Sequence, residues 1–236
     1  MGKTRKESRQ FNISVEGINC ERLYFEHLAK LINASDASYN MKSNCKKVSP
    51  LDFAKRNSYL PADKCGKNKI PYIHIQDIED YYDEKQLTKF KKLIDDMREA
   101  ENEYGLIYKL GYSNYTFELW MLLHVKNMNY AISNRYAYLN PINDAFHQNF
   151  KDLKEFKKED NFKKILDDYV NLNSVFLAIE RAEKIVESNC ASTKTKENYK
   201  GIEFYHDNPD INVHDIIKLI FEVCGVKRII EFNKSK

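Results

Sequence analysis

The sequence predicts an α/β fold with a mostly parallel sheet flanked by helices. Short apolar segments alternate with amphipathic stretches across residues 11–125, which is the spacing of strand–helix–strand units. From about residue 126 the chain is rich in Lys, Glu and Asp with helical periodicity. We therefore divide it into a basic N-terminal arm (1–10), an α/β core (11–130) and a helical C-terminal part of the same domain (131–236), packed on the core.

Each predicted element has its own signal. The segment FNISV (11–15) predicts a buried strand, and CERLYFEHLAKLINAS after it has the apolar spacing of an amphipathic helix. Residues 34–50 are polar and predict a loop with room for one strand near Val48, and Ser49-Pro50 favours a helix start. The remaining predicted elements are a strand at 69–77, a helix at 87–102, a strand within 104–114, a helix over 113–125 and a last helix capped by Asn212.

Composition excludes several classes of protein. The 236 residues are 42% hydrophobic, and the net charge of +3 is carried by the first ten residues alone. The rest of the chain has no net charge, which argues against a protein that coats nucleic acid without regard to sequence. A local basic groove would not show in the net charge. Five cysteines without a CxxC pair and a charged N-terminus predict reduced thiols in a cytoplasmic protein. No apolar run approaches the ~20 residues of a membrane span, so we expect no membrane association.

Acidic residues follow the predicted strands. Glu16 ends the first strand, and Asp77, Glu79 and Asp80 end the strand at 69–77. Glu118 lies in the first turn of the helix over 113–125. Ligands of an open parallel sheet bind outside the carboxyl ends of its strands, so we expect these acids to face one crevice. Carboxylates that converge repel one another unless a cation neutralises them, and all-oxygen ligands favour Mg²⁺ or Mn²⁺. The alternative is that each acid is a solvated turn residue or a helix cap.

Further residues are candidates for supporting roles. Ser113 or Asn114 would cap the helix over 113–125. Arg22, one turn into the first helix, would hold a substrate phosphate. His124 is either a satisfied core histidine or faces the site, and His214 either packs in the last helix or contacts a substrate phosphate.

Five segments resemble those of RloB-like proteins, in order along the chain. They are VEGINCERLYFEHL, IHIQDIED, SNYTFELWMLLHV, AIERAEKI and NPDINVHDIIKLI. The resemblance implies a Toprim-like core in which Glu16, with Asp77 and Glu79, holds a catalytic metal. It also implies that Glu21 holds Arg22 or the loop after the metal site. The chain departs from the family pattern by reading D-I-E-D where the family has D-x-D, so Asp80 could replace Glu79.

The same resemblance implies a role in bacterial defence against phage through abortive infection. It implies a nuclease that cuts RNA, including tRNA, or DNA, and an ABC-type ATPase encoded nearby as partner. Homo-oligomer formation stays open.

Three functions are compatible with the sequence. The first is a metal-dependent nuclease effector, with Glu16, Asp77 and Glu79 as catalytic residues and Glu118 as a ligand of a second metal. The second is a sensor or regulatory subunit that keeps the fold without catalysis. The third is another Mg²⁺-dependent phosphotransfer enzyme, such as a nucleotidyl transferase. A P-loop NTPase is disfavoured because the chain has no Gly-rich phosphate loop.

Overall fold

A five-stranded sheet forms the centre of the molecule. A computed structural model describes residues 6–17, 19–57, 70–79 and 82–228. The strands are β1 (Ser8–Val15), β2 (Asn40–Lys47), β3 (Tyr72–Asp77), β4 (Tyr108–Asn114), β5 (Lys196–Tyr199), β6 (Ile202–Tyr205) and β7 (Asp210–Ile211). The large sheet has the order β2-β1-β3-β4-β7, and β5 pairs with β6 in a hairpin. Strands β1 to β4 are parallel and β7 is antiparallel to β4, which confirms the predicted α/β fold with a mostly parallel sheet.

Helices cover both faces of this sheet. They are α1 (Cys20–Ala34), α2 (Pro50–Asn57), α3 (Glu84–Tyr104), α4 (Glu118–Leu123), α5 (Leu139–Ala145), α6 (Leu153–Phe156), α7 (Glu159–Tyr169), α8 (Leu172–Cys190) and α9 (Val213–Cys224). One apolar cluster joins one face of the sheet to α1, α4, α8 and α9, and a second joins the other face to α2, α3 and the hairpin. No helix in the described ranges is long and apolar enough to cross a membrane.

The alternation of side chains along the strands explains the two clusters. Tyr108, Leu110 and Tyr112 are spaced two apart in β4 and all pack in the cluster that contains α3. Ile13 of β1 and Ile75 of β3 pack in the opposite cluster with α1 and α4. Burial on both faces is what a parallel sheet requires, and it explains why these strands are apolar.

The structure extends two of the expected strands and adds a hairpin that the sequence did not predict. β2 occupies most of the predicted loop at 34–50, and β1 begins at Ser8, three residues before the predicted strand and inside the predicted arm. β2 is an edge strand that buries little more than Met41 and Cys45, so its sequence is polar. The hairpin of β5 and β6 lies in the part that was predicted to be helical. The four cysteines in the described part of the chain are free, as predicted.

The helix α4 is shorter than predicted, and its capping differs. It spans Glu118–Leu123, while Ser113 and Asn114 remain in β4, where they pair with β7. Phe117 holds the N-cap position without a side-chain bond, so the capping prediction for Ser113 and Asn114 is wrong. The side-chain amide of Asn114 instead donates to the backbone carbonyl of His206 at 3.1 Å.

The capping prediction for Asn212 is also corrected. Asn212 precedes α9 but makes no side-chain cap bond. Its side-chain oxygen accepts from the Tyr112 amide at 2.6 Å, and its side-chain nitrogen donates to the Leu110 carbonyl at 3.1 Å. Asn212 therefore extends the hydrogen-bonding edge of β4 beyond the short strand β7.

Candidate functional site

An acidic crevice lies at the carboxyl ends of three neighbouring strands. It has a volume of about 320 Å³. Lys47 ends β2, Glu16 follows β1 and Asp77 ends β3, and all three residues line it. Its charged lining residues are Glu16, Glu21, Lys47, Asp77, Glu79, Arg135 and Lys157. This is the edge of the sheet at which the sequence predicted a ligand site.

Glu16 is fixed across the pair of strands β1 and β3. Its backbone amide donates to the carbonyl of Ile75 at 3.2 Å. One carboxylate oxygen, Oε2, accepts from the Gln76 side-chain amide and from the Asp77 backbone amide, the latter at 3.4 Å. Burial raises the pKa of Glu16, and the charge of Glu79 raises it further. Hydrogen bonds therefore orient this carboxylate, while burial and the charge of Glu79 disfavour its ionised form.

Asp77 lies buried among other acidic side chains in the crevice. Its Oδ1 atom is buried and has no hydrogen-bond partner in the part of the chain that the structure describes. Burial, followed by the charges of Glu21 and Glu118, holds the pKa of Asp77 well above its usual range. A buried carboxylate oxygen without a partner is costly, so the site favours a cation or a proton at this position.

Glu79 is held by its backbone and by an arginine. Its φ of 58° lies in the left-handed region, and its amide donates to the carbonyl of Tyr115 at 2.9 Å. Its carboxylate forms an ion pair and a hydrogen bond with Arg135, which belongs to the 3₁₀ turn Arg135–Tyr138. The loop after β4 thus fixes the backbone of Glu79, while Arg135 fixes its side chain. The other candidate at this strand end, Asp80, lies outside the described residues.

Glu21 also belongs to the crevice. It lies in the first turn of α1, is buried, and lines the cavity. Burial raises its pKa to about 7. Its carboxylate packs against Gly17, where a Cβ atom would collide with it. The Gly of the V-E-G segment therefore makes room for a second buried acid beside Glu16.

Glu118 lies beside the crevice without lining it. It is 2% exposed, and its Oε1 atom lies 2.6 Å from Nζ of Lys157, which does line the cavity. Thr116 donates a hydrogen bond to its other oxygen. Although burial disfavours the ammonium charge, Glu118 and Asp77 together raise the pKa of Lys157 above its usual range. The first-turn acid of α4 therefore positions a crevice lysine, rather than reaching into the crevice as predicted.

The structure does not bring Arg22 into the crevice. Its guanidinium is 2.8 Å from Glu26 and 3.8 Å from Glu159, on the outer face of α1. The cations that line the cavity are instead Lys47, Arg135 and Lys157. No local pattern pointed to them, because Lys157 is one of many lysines in a charged stretch and Arg135 lies far along the chain from the acids.

The two candidate histidines are also buried elsewhere. His124 contacts the Tyr24 hydroxyl at 3.1 Å and the Trp120 carbonyl at 3.0 Å, and burial lowers its pKa to about 4. His214 is buried in the first turn of α9, 3.6 Å from Asp215, and burial lowers its pKa. Both placements support the packing alternatives and correct the expectation that these side chains contact substrate.

The donor chemistry of the crevice fits a hard divalent cation. The candidate ligands are all carboxylate oxygens, and the buried Oδ1 atom of Asp77 lacks a partner among the described residues. Within the described ranges, no three His, Cys, Asp or Glu side chains stand together as a group that could hold a metal ion. Glu79 is turned to Arg135 and Glu118 to Lys157. Glu16 and Asp77 are thus the residues best placed to hold a cation, with Glu79 joining them if it leaves Arg135.

Comparison with known proteins identifies the family. The model of the family described as RloB-like protein matches residues 11–220. The chain belongs to the RloB-like family. Searches of curated proteins and of solved structures found no match. The mostly parallel sheet of this RloB-like protein is consistent with the Toprim-like core that the motifs implied.

Proposed function

We propose that this RloB-like protein is a metal-dependent nuclease effector that cleaves phosphodiester bonds in RNA or DNA. The observation that carries the proposal is the buried carboxylate oxygen of Asp77, which has no hydrogen-bond partner among the described residues and is set among further acids at the carboxyl ends of parallel strands. Such a group is stabilised by a bound cation. A cation held by carboxylates next to lysine and arginine is suited to phosphoryl chemistry.

In this proposal Glu16 and Asp77 hold Mg²⁺ or Mn²⁺, with Glu79 or Asp80 as a third ligand. The bound ion supplies Lewis acidity and a lowered pKa for a coordinated water. The Oε2 atom of Glu16, oriented by Gln76 and the Asp77 amide, either binds the ion or accepts a proton from the attacking water. Lys47, Arg135 and Lys157 neutralise the phosphate charge that grows during cleavage.

Arg135 and Lys157 also offset part of the negative charge of these acids, through Glu79 and Glu118. Because Arg135 holds Glu79, a third carboxylate becomes available only when this ion pair opens. An anionic phosphate that binds Arg135 would compete with Glu79 for the guanidinium and release it. Substrate binding and completion of the metal site would then be coupled.

The biological setting of the proposal rests on family membership. We propose a role in abortive infection, with activity restrained until a partner ATPase encoded nearby releases it. Uncontrolled cleavage of cellular nucleic acid would harm the host, so the purified chain should cleave poorly on its own. Activity should rise with the partner or at high Mn²⁺.

A catalytically weak sensor is the second candidate. It is favoured by the pairing of Glu79 with Arg135, which withholds one carboxylate from a metal, and by the D-I-E-D segment, in which the longer Glu79 stands where D-x-D has its second Asp. In this case the crevice would bind a phosphate-bearing ligand without cutting it.

Expression with the partner during phage challenge separates the two functions. Wild type, Asp77→Asn and Asp215→Asn are compared, with RNA and DNA integrity read on gels. Asp215 is a solvent-exposed acid of α9 and serves as the matched control. A nuclease predicts that Asp77→Asn loses at least about a hundredfold in cleavage and loses protection, while Asp215→Asn keeps both. Equal protection by all three without any cleavage would favour the sensor.

A further inference from the structure

A second cavity adjoins the acidic crevice and carries exposed aromatic rings. It has a volume of about 300 Å³ and is lined by Glu79, Asp83, Gln86, Tyr115, Asn134, Arg135 and Tyr136. Glu79 and Arg135 line both cavities, so the two form one continuous surface on either side of this ion pair. The 3₁₀ turn that carries Arg135 therefore also presents Tyr136 beside it.

Two tyrosines, one lining this cavity and one next to a cavity residue in the sequence, are exposed far more than aromatic side chains usually are. Tyr82 is 70% exposed and Tyr136 is 74% exposed. Tyr82 precedes Asp83, one of the cavity residues, and Tyr136 lines the cavity itself. Aromatic rings are normally buried for their apolar area, so exposed ones beside a charged crevice indicate a binding surface.

Hydrogen bonds link Tyr82 to the segment around Asp207. The Tyr82 hydroxyl donates to Asp207 at 2.9 Å. The neighbouring Asn208 makes two bonds to the backbone of Ile132, at 2.6 and 3.0 Å, and so ties this segment to the loop before Tyr136. These contacts connect Tyr82, through the segment of Asp207 and Asn208, to the part of the chain that precedes Tyr136.

The turn that presents Tyr136 is fixed in the same way. The Asn134 side chain caps it by accepting from the amides of Tyr136 and Ala137. The guanidinium carbon of Arg135 lies 5.9 Å from the centre of the Tyr136 ring. Because the turn is capped, the backbone that carries the ring loses little conformational freedom when a flat ligand stacks on it.

We propose that Tyr136 and Tyr82 are base-stacking residues for single-stranded nucleic acid, whose phosphate enters the acidic crevice. The inference rests on the proposed nuclease function and names the substrate class. Unpaired bases stack on exposed aromatic rings, whereas bases inside a duplex are already stacked and out of reach. The cations Lys47, Arg135 and Lys157 lie on the crevice side and fit the phosphate, while the tyrosines fit the base.

The volume of the second cavity supports this assignment. About 300 Å³ is at the small end of ligand sites, which fits one nucleoside better than a folded partner surface. The polar side chain of Gln86 lines the same cavity and offers an amide group to a base edge, whereas the side-chain oxygen of Asn134 is used in capping the turn. The cavity therefore offers an aromatic ring to the face of a nucleobase and polar groups to its edge.

Binding by the Asp77→Asn protein tests the inference without cleavage of the probe. Fluorescence anisotropy with labelled single strands of RNA and of DNA is compared with a duplex of the same sequence. We expect single strands to bind more tightly than duplex, and Tyr136→Ala and Tyr82→Ala each to weaken single-strand binding roughly tenfold. Tyr136→Phe and Tyr82→Phe keep the rings and should bind like the parent. Comparison of the RNA and DNA single strands shows whether the site prefers ribose or deoxyribose.

Two exposed apolar residues outside this cavity provide controls. Leu177→Ala in α8 and Ile107→Ala before β4 should leave binding unchanged. The inference is overturned if the tyrosine-to-alanine variants bind single strands as the parent does, if duplex binding falls equally, or if single strands do not bind at all.

The outcomes also separate this inference from the nuclease proposal. Cleavage that depends on Asp77 but proceeds equally on single strands and duplexes, with no effect of Tyr136→Ala, would leave the nuclease and remove the stacking site. Tyrosine-dependent binding of single strands by a wild type that never cleaves would keep the stacking site and remove the nuclease.

Discussion

Two of the clefts of this protein differ in how deeply their charged side chains are buried. The larger one, about 960 Å³, runs along β4, α9 and the hairpin. Its charges are paired near solvent, as in the 2.7 Å pair of Lys218 with Glu183, whose side chains are 49% and 40% exposed. The smaller acidic crevice, about 320 Å³, buries its acids and lies beside the 2% exposed Glu118. Burial of charge, rather than volume, distinguishes the candidate site.

The largest expected difference between the clefts concerns their lysines. Lys157→Met leaves the buried charge of Glu118 unpaired, and we expect it to lower the free energy of unfolding by about 2–4 kcal/mol. Lys218→Met in the larger cleft breaks an exposed pair and should change it by less than about 1 kcal/mol. Urea unfolding followed by circular dichroism measures both.

A compensating variant sharpens this prediction. Glu118→Gln added to Lys157→Met removes the unpaired charge and should recover part of the lost stability. Equal losses from Lys157→Met and Lys218→Met would mean that the acids beside the crevice are as well solvated as those of the larger cleft.

The next effect is a pH dependence that is specific to the crevice. The pKa of Glu21 is raised from 4.5 to about 7, so the folded state holds this proton more tightly than the unfolded state. The resulting stability is fully present below pH 4.5 and is lost as the pH rises through about 7. Asp77 and Glu16 have raised pKa values and act in the same direction. In EDTA, Glu21→Gln should lose less stability than wild type between pH 5 and 8, by on the order of 1–2 kcal/mol.

Glu222→Gln is the matched control for that experiment. Glu222 lines the larger cleft, and its replacement should leave the pH profile of wild type unchanged. If Glu21→Gln and wild type follow the same profile, the burial of Glu21 does not carry the energetic penalty argued above.

The smallest effect is expected at Arg22. Because it pairs with Glu26 and Glu159 on the surface, Arg22→Ala should change the free energy of unfolding by no more than about 0.5 kcal/mol. Single-strand binding should also stay within about twofold of wild type. A tenfold weakening in the anisotropy assay would restore Arg22 as the phosphate contact that the sequence suggested.

The sequence predicted those features that depend on local patterns. Apolar runs identified β1, β3 and β4, and the alternation of strands and helices placed Glu16, Asp77 and Glu79 at one edge. It allowed only for a strand near Val48, where β2 ends at Lys47, and it missed the hairpin, because an edge strand and a short hairpin bury few side chains and can be polar.

The cations of the crevice could not have been predicted in the same way. Arg135 and Lys157 reach the crevice from a turn and a loop far along the chain, and their contacts with Glu79 and Glu118 depend on tertiary packing. The family motifs are informative for a different reason. Asn212 of the N-V-H segment bonds the edge of β4, and Asn208 of the N-P segment bonds Ile132, so both side chains hold the backbone of neighbouring segments.

Calorimetric titration with Mn²⁺ tests the central claim most directly. Wild type is compared with Glu16→Gln/Asp77→Asn in the crevice and with Asp215→Asn/Glu222→Gln in the larger cleft. We predict that the crevice double variant binds Mn²⁺ at least about tenfold more weakly than wild type, since it loses two anionic ligands. The double variant of the larger cleft should bind as wild type does. Equal binding by wild type and the crevice double variant would contradict the assignment of the acidic crevice as the metal site.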